Sequence, residues 1–123
     1  KRDGDEVSRW NLLHPDKKAR QCHVTKCLES TEGPVVAATD YVKLFADQIR
    51  AYVPKSYAVL GTDGFGRSDS REALRKHFEV DRYYITVAAL NALEGEGGIS
   101  AKTVKAAIKK YGIDSEKNNP LLS

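Results

Sequence analysis

Residues 34–61, with the sequence PVVAATDYVKLFADQIRAYVPKSYAVLG, decide the fold because two short apolar runs flank a helical pattern. The first run, residues 34–38, follows a Gly-Pro breaker and contains β-branched side chains, which is typical of a buried strand. Residues 57–61 have the same character. Two buried strands joined by a helix predict a parallel pair with a right-handed crossover.

The segment between the two runs has helical periodicity. Thr39 or Asp40 can cap its first turn, and Pro54 ends the helix because a residue that precedes proline is pushed out of helical geometry. The face that is predicted to point to the core carries Val42, Phe45, Ala46, Ile49 and Val53.

Three further helices are predicted after the second strand. Asp69 and Glu72 have the spacing of a capping box at the start of the first of them, and Asp81 begins the next. The glycines at positions 95, 97 and 98 are expected to form a turn. Ser100 caps the last helix, and Gly112 ends it with a left-handed residue.

The resulting order, β-α-β-α-α-α, predicts an α/β fold with parallel strands. Two strands are too few to satisfy the edges of a sheet that is buried on both faces, so we expect the opening strands to lie before Lys1. The absence of methionine also indicates that the sequence begins inside a longer polypeptide. Residues 1–33 are interpreted as a connecting segment, in which residues 24–28 fit helix and strand equally well.

Composition excludes several classes of function. The formal net charge is +3, from 20 Lys and Arg against 17 Asp and Glu, and the interspersed charges do not favour nucleic-acid binding. No apolar run is long enough to cross a bilayer, and the first residues do not have the apolar stretch of a signal peptide. Two cysteines are compatible with a reducing compartment, so we expect a soluble cytoplasmic protein.

The most distinctive stretch is the glycine-rich loop of residues 61–71, GTDGFGRSDSR, between the second strand and the next helix. Such a loop can bind a phosphate or carboxylate on its N–H groups, with Arg67 and Arg71 as charge partners. It matches neither established phosphate-binding glycine pattern, and Asp63 and Asp69 would repel an anion. We therefore favour a structural interpretation, in which Asp69 caps the helix and the arginines pair with those aspartates or with another chain.

Other reactive side chains do not form a recognisable catalytic pattern. Cys22, His23, Cys27 and His14 are clustered, but their spacing is wrong for a zinc site. His77 has no marked partner, which favours a solvated or packed histidine. Tyr83-Tyr84 is expected to divide between the core and an interface, and the lysines of the last helix are expected to form a solvated face.

Several segments together resemble the end of the homodimeric-type pyruvate dehydrogenase component of the pyruvate dehydrogenase complex. The resemblance covers essentially the whole chain. Its segments are Arg9–Pro15, Ala38–Ala46, Val53-Pro54, Leu60–Glu72 and His77–Asp81, and Leu60–Arg71 is the most specific of them. Cys22, His23 and Cys27, and the glycine-rich residues 94–98, depart from what the family leads us to expect.

The resemblance implies part of a transketolase carboxy-terminal-domain-like, three-layer α/β fold over residues 34–123, with a mostly parallel sheet whose opening strands are missing. It implies that thiamine diphosphate and Mg²⁺ bind to earlier domains, so no catalytic, cofactor-binding or metal-binding residue is assigned here. It further implies a homodimer that oxidatively decarboxylates pyruvate and transfers the acetyl group to lipoyl groups of the dihydrolipoyl acetyltransferase. The candidates for an interface in the loop are Asp63, Gly64, Phe65, Gly66, Arg67 and Arg71.

Three functions are open from the sequence. In the first, the chain is a non-catalytic domain that supports the dimer and the neighbouring domain of that enzyme. In the alternative, it is a free-standing α/β module that binds a phosphorylated ligand or an acidic partner at the Gly61–Arg71 loop. In the third, it is a domain that serves only to dock on the acetyltransferase core.

Overall fold

The computed structural model describes residues 1–64 and 66–122. Two strands, β1 (Val35–Ala38) and β2 (Tyr57–Leu60), pair in parallel, with Val35 opposite Tyr57 and Ala38 opposite Leu60. This confirms the predicted parallel pair and the α/β class. The helices are α1 (Arg2–Leu13), α2 (His23–Glu29), α3 (Lys43–Asp47), α4 (Arg71–His77), α5 (Arg82–Gly95) and α6 (Ala101–Lys110), with short 3₁₀ turns at Arg50–Tyr52 and Pro120–Leu122.

The connection between the strands is not the single helix that the periodicity predicted. It is the short α3 followed by the 3₁₀ turn, and neither predicted residue caps its start. The Thr39 hydroxyl instead accepts the N–H of Tyr41, at 3.0 Å. At the other end, the Tyr57 hydroxyl donates to the Ala46 carbonyl at 2.8 Å, and so occupies the acceptor that a longer helix would offer to the N–H of residue 50.

The first 33 residues contain two helices, and both contact Tyr52. Gly4 is buried against the Tyr52 ring, which leaves no room for a side chain at that position. The Thr25 hydroxyl donates to the Tyr52 carbonyl at 2.6 Å, and the N–H of His23 donates to the Asp3 carboxylate at 2.7 Å. The segment that fitted helix and strand equally well is therefore helical, while the domain boundary at residue 33 stays a prediction.

Side-chain caps begin the last three helices. The Asp81 carboxylate accepts the N–H groups of Tyr83 and Tyr84, both at 3.0 Å, and the Ser100 hydroxyl accepts that of Thr103 at 3.4 Å, as predicted. The expected cap at Asp69 is wrong. Ser70 caps α4 instead, and the Asp69 carboxylate accepts the N–H of Ser70.

The helix ends also follow local signals. Gly112 has φ 64°, and the N–H of Ile113 returns to the Ile108 carbonyl at 3.1 Å, so the predicted Schellman ending of α6 is confirmed. Between α5 and α6, the N–H of Gly98 donates to Leu93 O at 2.9 Å. Of the three glycines expected in that turn, Gly95 is the last residue of α5.

The core is thin, and the strands are only partly covered. The buried apolar side chains of the described residues are Cys22, Val53, Tyr57, Val80 and Val104. α5 packs against both strands and against α6, yet three residues of β1 are half-buried and Ala38 is exposed. The prediction of fully buried strands is therefore wrong for this chain, because too few elements cover the sheet. None of the described helices is long and apolar enough to span a membrane.

Asp81 provides a test of helix capping. We expect Asp81→Ala to lower the free energy of unfolding by about 1 kcal/mol, because two N–H groups at the start of α5 lose their acceptor. Urea unfolding followed by circular dichroism measures the change. Asp16→Ala is the matched control, since exposed Asp16 makes only a 3.8 Å ion pair with Lys17; an equal loss in both variants would contradict the capping role.

Candidate functional site

The candidate site lies at the carboxyl ends of the two strands, where the loop that follows β1 meets the loop that follows β2. The strand pairing continues one step beyond the sheet, since the N–H of Thr39 donates to the Leu60 carbonyl at 3.0 Å. The N–H of Thr62 then donates to the Tyr41 carbonyl at 2.9 Å, and its hydroxyl donates to the Asp40 carbonyl. The loop after β2 is thus tied to the loop after β1.

Gly61 and Asp63 hold the start of α3 against this loop. A Cβ atom on buried Gly61 would lie 2.7 Å from the Lys43 nitrogen, so only glycine allows the two backbones to approach this closely. The Asp63 carboxylate accepts the N–H of Lys43 at 2.8 Å. Asp63, predicted as an interface residue, therefore acts within the chain.

Gly64 lies beneath the carboxy-terminal segment. Its φ is 118°, and a Cβ atom built on it would lie 2.6 Å from the Pro120 carbonyl oxygen. The same segment is anchored by Lys117, whose ammonium group donates to the His77 carbonyl at 2.6 Å and pairs with Glu79 at 3.4 Å. A carbonyl acceptor above the loop disfavours anion binding at Gly64.

The charged side chains pair differently from the prediction. Arg75 makes a two-point contact with the Asp40 carboxylate, at 3.0 and 3.3 Å, and this contact holds the pKa of Asp40 below its usual value. Arg67 and Arg71 form no ion pair with any described residue. The expected pairing with Asp63 and Asp69 is not formed, and these aspartates accept backbone N–H groups, whereas the alternative pairing of the arginines with another chain stays a prediction.

Gly66, Arg67 and Arg71 are exposed along an open groove. The groove runs between α4 and the Thr62 segment, and Asp40 and Leu74 also line it. Sequence reasoning missed Asp40 and Arg75, although Arg75 lies one helical turn after Arg71 and so shares its face. Phe65, the remaining loop candidate, lies outside the described residues.

The remaining reactive residues are scattered. The Cys27 sulfur lies 3.4 Å from His23 Nε2 on the surface of α2, whereas buried Cys22 contacts the Thr25 hydroxyl at 3.1 Å. The ring of His14 stacks on Trp10. Among the residues described, no group of three or more His, Cys, Asp or Glu side chains could hold a metal ion.

His77 and the tyrosine pair lie near the other end of α4. The pKa of His77 is lowered, first by burial and then by the charges of Arg67 and Lys117. Tyr83 is exposed and its ring lies 5.1 Å from that of Tyr111, while Tyr84 is half-buried, and the predicted division between the core and an interface stays a prediction.

The chain is similar to one protein family and to several curated proteins. Residues 7–81 match the family described as the transketolase-like TK C-terminal domain. The chain is 60% identical over 122 residues to the pyruvate dehydrogenase E1 component of Pseudomonas aeruginosa, and 59% identical over 120 residues to that of Cupriavidus necator. The E1 component of Escherichia coli K12 is 54% identical over 123 residues.

These matches cover 98–99% of this chain but only 13–14% of each relative. The chain therefore spans about a seventh of the length of the curated relatives.

Gly64 tests the contact between the loop and the carboxy-terminal segment. We expect Gly64→Ala to destabilise the protein by at least about 1 kcal/mol more than Gly33→Ala. Both glycines have positive φ, but a Cβ atom at Gly33 would meet nothing within 4 Å, whereas at Gly64 it would collide with Pro120. Urea unfolding compares the two variants, and equal losses would show that the Pro120 contact does not constrain the loop.

The Asp40–Arg75 pair predicts a pH-dependent contribution to stability. Because the pKa of Asp40 is lowered in the folded state, the contribution is present above the usual value of 3.8 and is lost as the pH falls through the folded pKa. We expect Arg75→Gln to be less stable than the parent protein at neutral pH, and this difference to shrink in acid. Thermal unfolding across the acid range measures this stability difference. Lys76→Gln changes the neighbouring exposed residue and is the control, so it should show no such trend.

Proposed function

This chain belongs to the family of transketolase-like TK C-terminal domains, and from that premise we propose that it is the carboxy-terminal domain of a pyruvate dehydrogenase E1 component. The observation that carries the proposal is the 54–60% identity over nearly the whole chain to proteins of that name. Identity at this level over a continuous domain supports a shared role within the same enzyme.

In the complete protein, the proposed reaction is the oxidative decarboxylation of pyruvate with transfer of the acetyl group to lipoyl groups of the dihydrolipoyl acetyltransferase. Thiamine diphosphate, bound with Mg²⁺, supplies the carbanion chemistry in that reaction. The described residues do not fit a metal site, so we derive no chemical step from this chain. Cofactor binding is assigned to the remainder of the polypeptide.

The proposed role of this domain is to support the neighbouring domain and the homodimer. The Gly61–Arg71 loop is well suited to such a contact because internal bonds from Thr62 and Asp63 hold it in place. Gly66, Arg67 and Arg71 remain exposed for an external partner, whereas Asp63 and Gly64 are committed to contacts within the chain. A cytoplasmic location is part of the same proposal.

Activity measurements test the proposal directly. We expect the complete E1 polypeptide to decarboxylate pyruvate in the presence of thiamine diphosphate and Mg²⁺, and residues 1–123 alone to show no turnover above background. A complete polypeptide that is folded and loaded with cofactor but inactive on pyruvate would refute the assignment. Turnover by the isolated chain would refute its non-catalytic role.

Calorimetric titration separates this proposal from a free-standing anion-binding module. We expect no saturable heat when phosphate, nucleotides or thiamine diphosphate are added to the chain, because the Pro120 carbonyl oxygen lies against the loop at Gly64 and disfavours an anion there. Saturable binding that is abolished in Arg67→Ala would favour the module instead.

A further inference from the structure

We propose that the start of α3 and two arginines, which form no ion pair with any residue that the structure describes, make one docking surface for an apolar and acidic segment in the remaining part of the same polypeptide. We call it the α3 surface, and it comprises Tyr41, Val42, Leu44, Phe45, Arg67 and Arg71. The inference rests on the proposed function, because that function supplies a longer polypeptide. The inference goes beyond the proposed function because it identifies the principal contact residues and the chemistry of the segment that they bind.

The apolar part of the α3 surface points away from the rest of the chain. The exposed fractions are 71% for Tyr41, 53% for Val42, 73% for Leu44 and 62% for Phe45. The rings of Tyr41 and Phe45 lie 5.6 Å apart, and Val42 and Leu44 lie between them in the chain, so the four exposed apolar side chains are close neighbours. Contiguous exposed patches of large apolar side chains usually mark an interaction site.

The patch is held in a fixed conformation before any partner binds. The Tyr41 carbonyl accepts the N–H of Thr62, and the N–H of Lys43 donates to the Asp63 carboxylate. The close approach of Gly61 to Lys43 prevents α3 from moving towards the sheet. A preorganised surface loses little conformational entropy on binding, which favours its use as an interface.

The two arginines lie in a groove that reaches the residue before Tyr41. Arg67 and Arg71 are exposed in this groove, which Asp40, Thr62 and Asp69 also line. Within the described residues, Arg75 already pairs with Asp40, and Asp69 accepts the N–H of Ser70. Arg67 and Arg71 form no ion pair with a described residue, although the charge of Arg71 contributes to the lowered pKa of Asp40. Their guanidinium groups can therefore complement carboxylates on the partner.

The charge also argues against a second copy of the same surface as the occupant. A second α3 surface contains no carboxylate, so it would offer no charge partner to Arg67 and Arg71. The remaining part of an E1 polypeptide is instead covalently attached, which gives it a high effective concentration at the surface. Because the relatives are covered only to 13–14% of their length, ample protein exists to supply the acidic segment.

Hydroxyl-radical labelling of the complete E1 polypeptide tests the inference. In this chain Tyr41 is 71% exposed and Tyr83 is 36% exposed, so free accessibility predicts stronger labelling of Tyr41. We expect the reverse order in the complete protein, with Tyr41 and Phe45 labelled several-fold less than Tyr83. Labelling of Tyr41 and Phe45 above Tyr83 would overturn the inference.

Charge reversal tests the chemistry of the partner. We expect Arg67→Glu with Arg71→Glu to raise the labelling of Tyr41 and Phe45 several-fold, because repulsion from carboxylates opens the contact. Lys105→Glu with Lys109→Glu changes the charge equally on the exposed face of α6 and should leave the labelling low. Unchanged protection in the arginine variant would overturn the acidic partner, and protection that disappears on dilution to monomer would assign the surface to a second copy.

Failure of this inference is distinguishable from failure of the proposed function. An enzyme that turns over pyruvate but labels strongly at Tyr41 and Phe45 retains its function and lacks the docking contact. A polypeptide that protects both residues but does not act on pyruvate retains the contact and lacks the function.

Discussion

The hydrogen bonds between residues 39–43 and residues 60–63 are the interactions on which the rest of the structure depends. They join the loops that follow β1 and β2 at the carboxyl ends of the strands. These loops are important because, within the described residues, the sheet has only two strands and no third strand stabilises it. Buried Gly61 permits the approach, and Asp63 supplies the acceptor for Lys43. The position of α3, the exposure of its apolar side chains and the course of the arginine-lined groove all follow from this junction.

Three carboxylates near the carboxyl ends of the strands make contacts within the chain. Carboxylates that could have served as acids, bases or ligands are occupied by structural contacts: Asp63 and Asp69 accept N–H groups, and Asp40 pairs with Arg75. What remains exposed at this edge is an apolar patch with a basic border. Such a combination favours association with protein, and the thin core is consistent with a domain that acquires much of its stability from neighbours.

Prediction succeeded at three helix ends where the interaction spans a few residues. Ser100 and Asp81 cap their helices, and Gly112 ends α6, because each of these contacts is made within one helical turn. It failed at α3, whose end is decided by the Tyr57 hydroxyl binding the Ala46 carbonyl. It also failed at Asp69, because that side chain and Ser70 are adjacent and both can cap a helix, so spacing alone could not decide between them.

The sequence by itself determined the α/β class, the parallel pair, the caps of α5 and α6 and the membership of a family, because these depend on local hydrogen bonding and on residue patterns along the chain. Only the tertiary structure decided the destinations of Asp63 and Arg75, which lie 20 and 35 residues from their partners Lys43 and Asp40. It also decided that the predicted core residues Val42 and Phe45 point outwards. Helical periodicity shows that an apolar face must be covered, but it does not identify the protein surface that covers it.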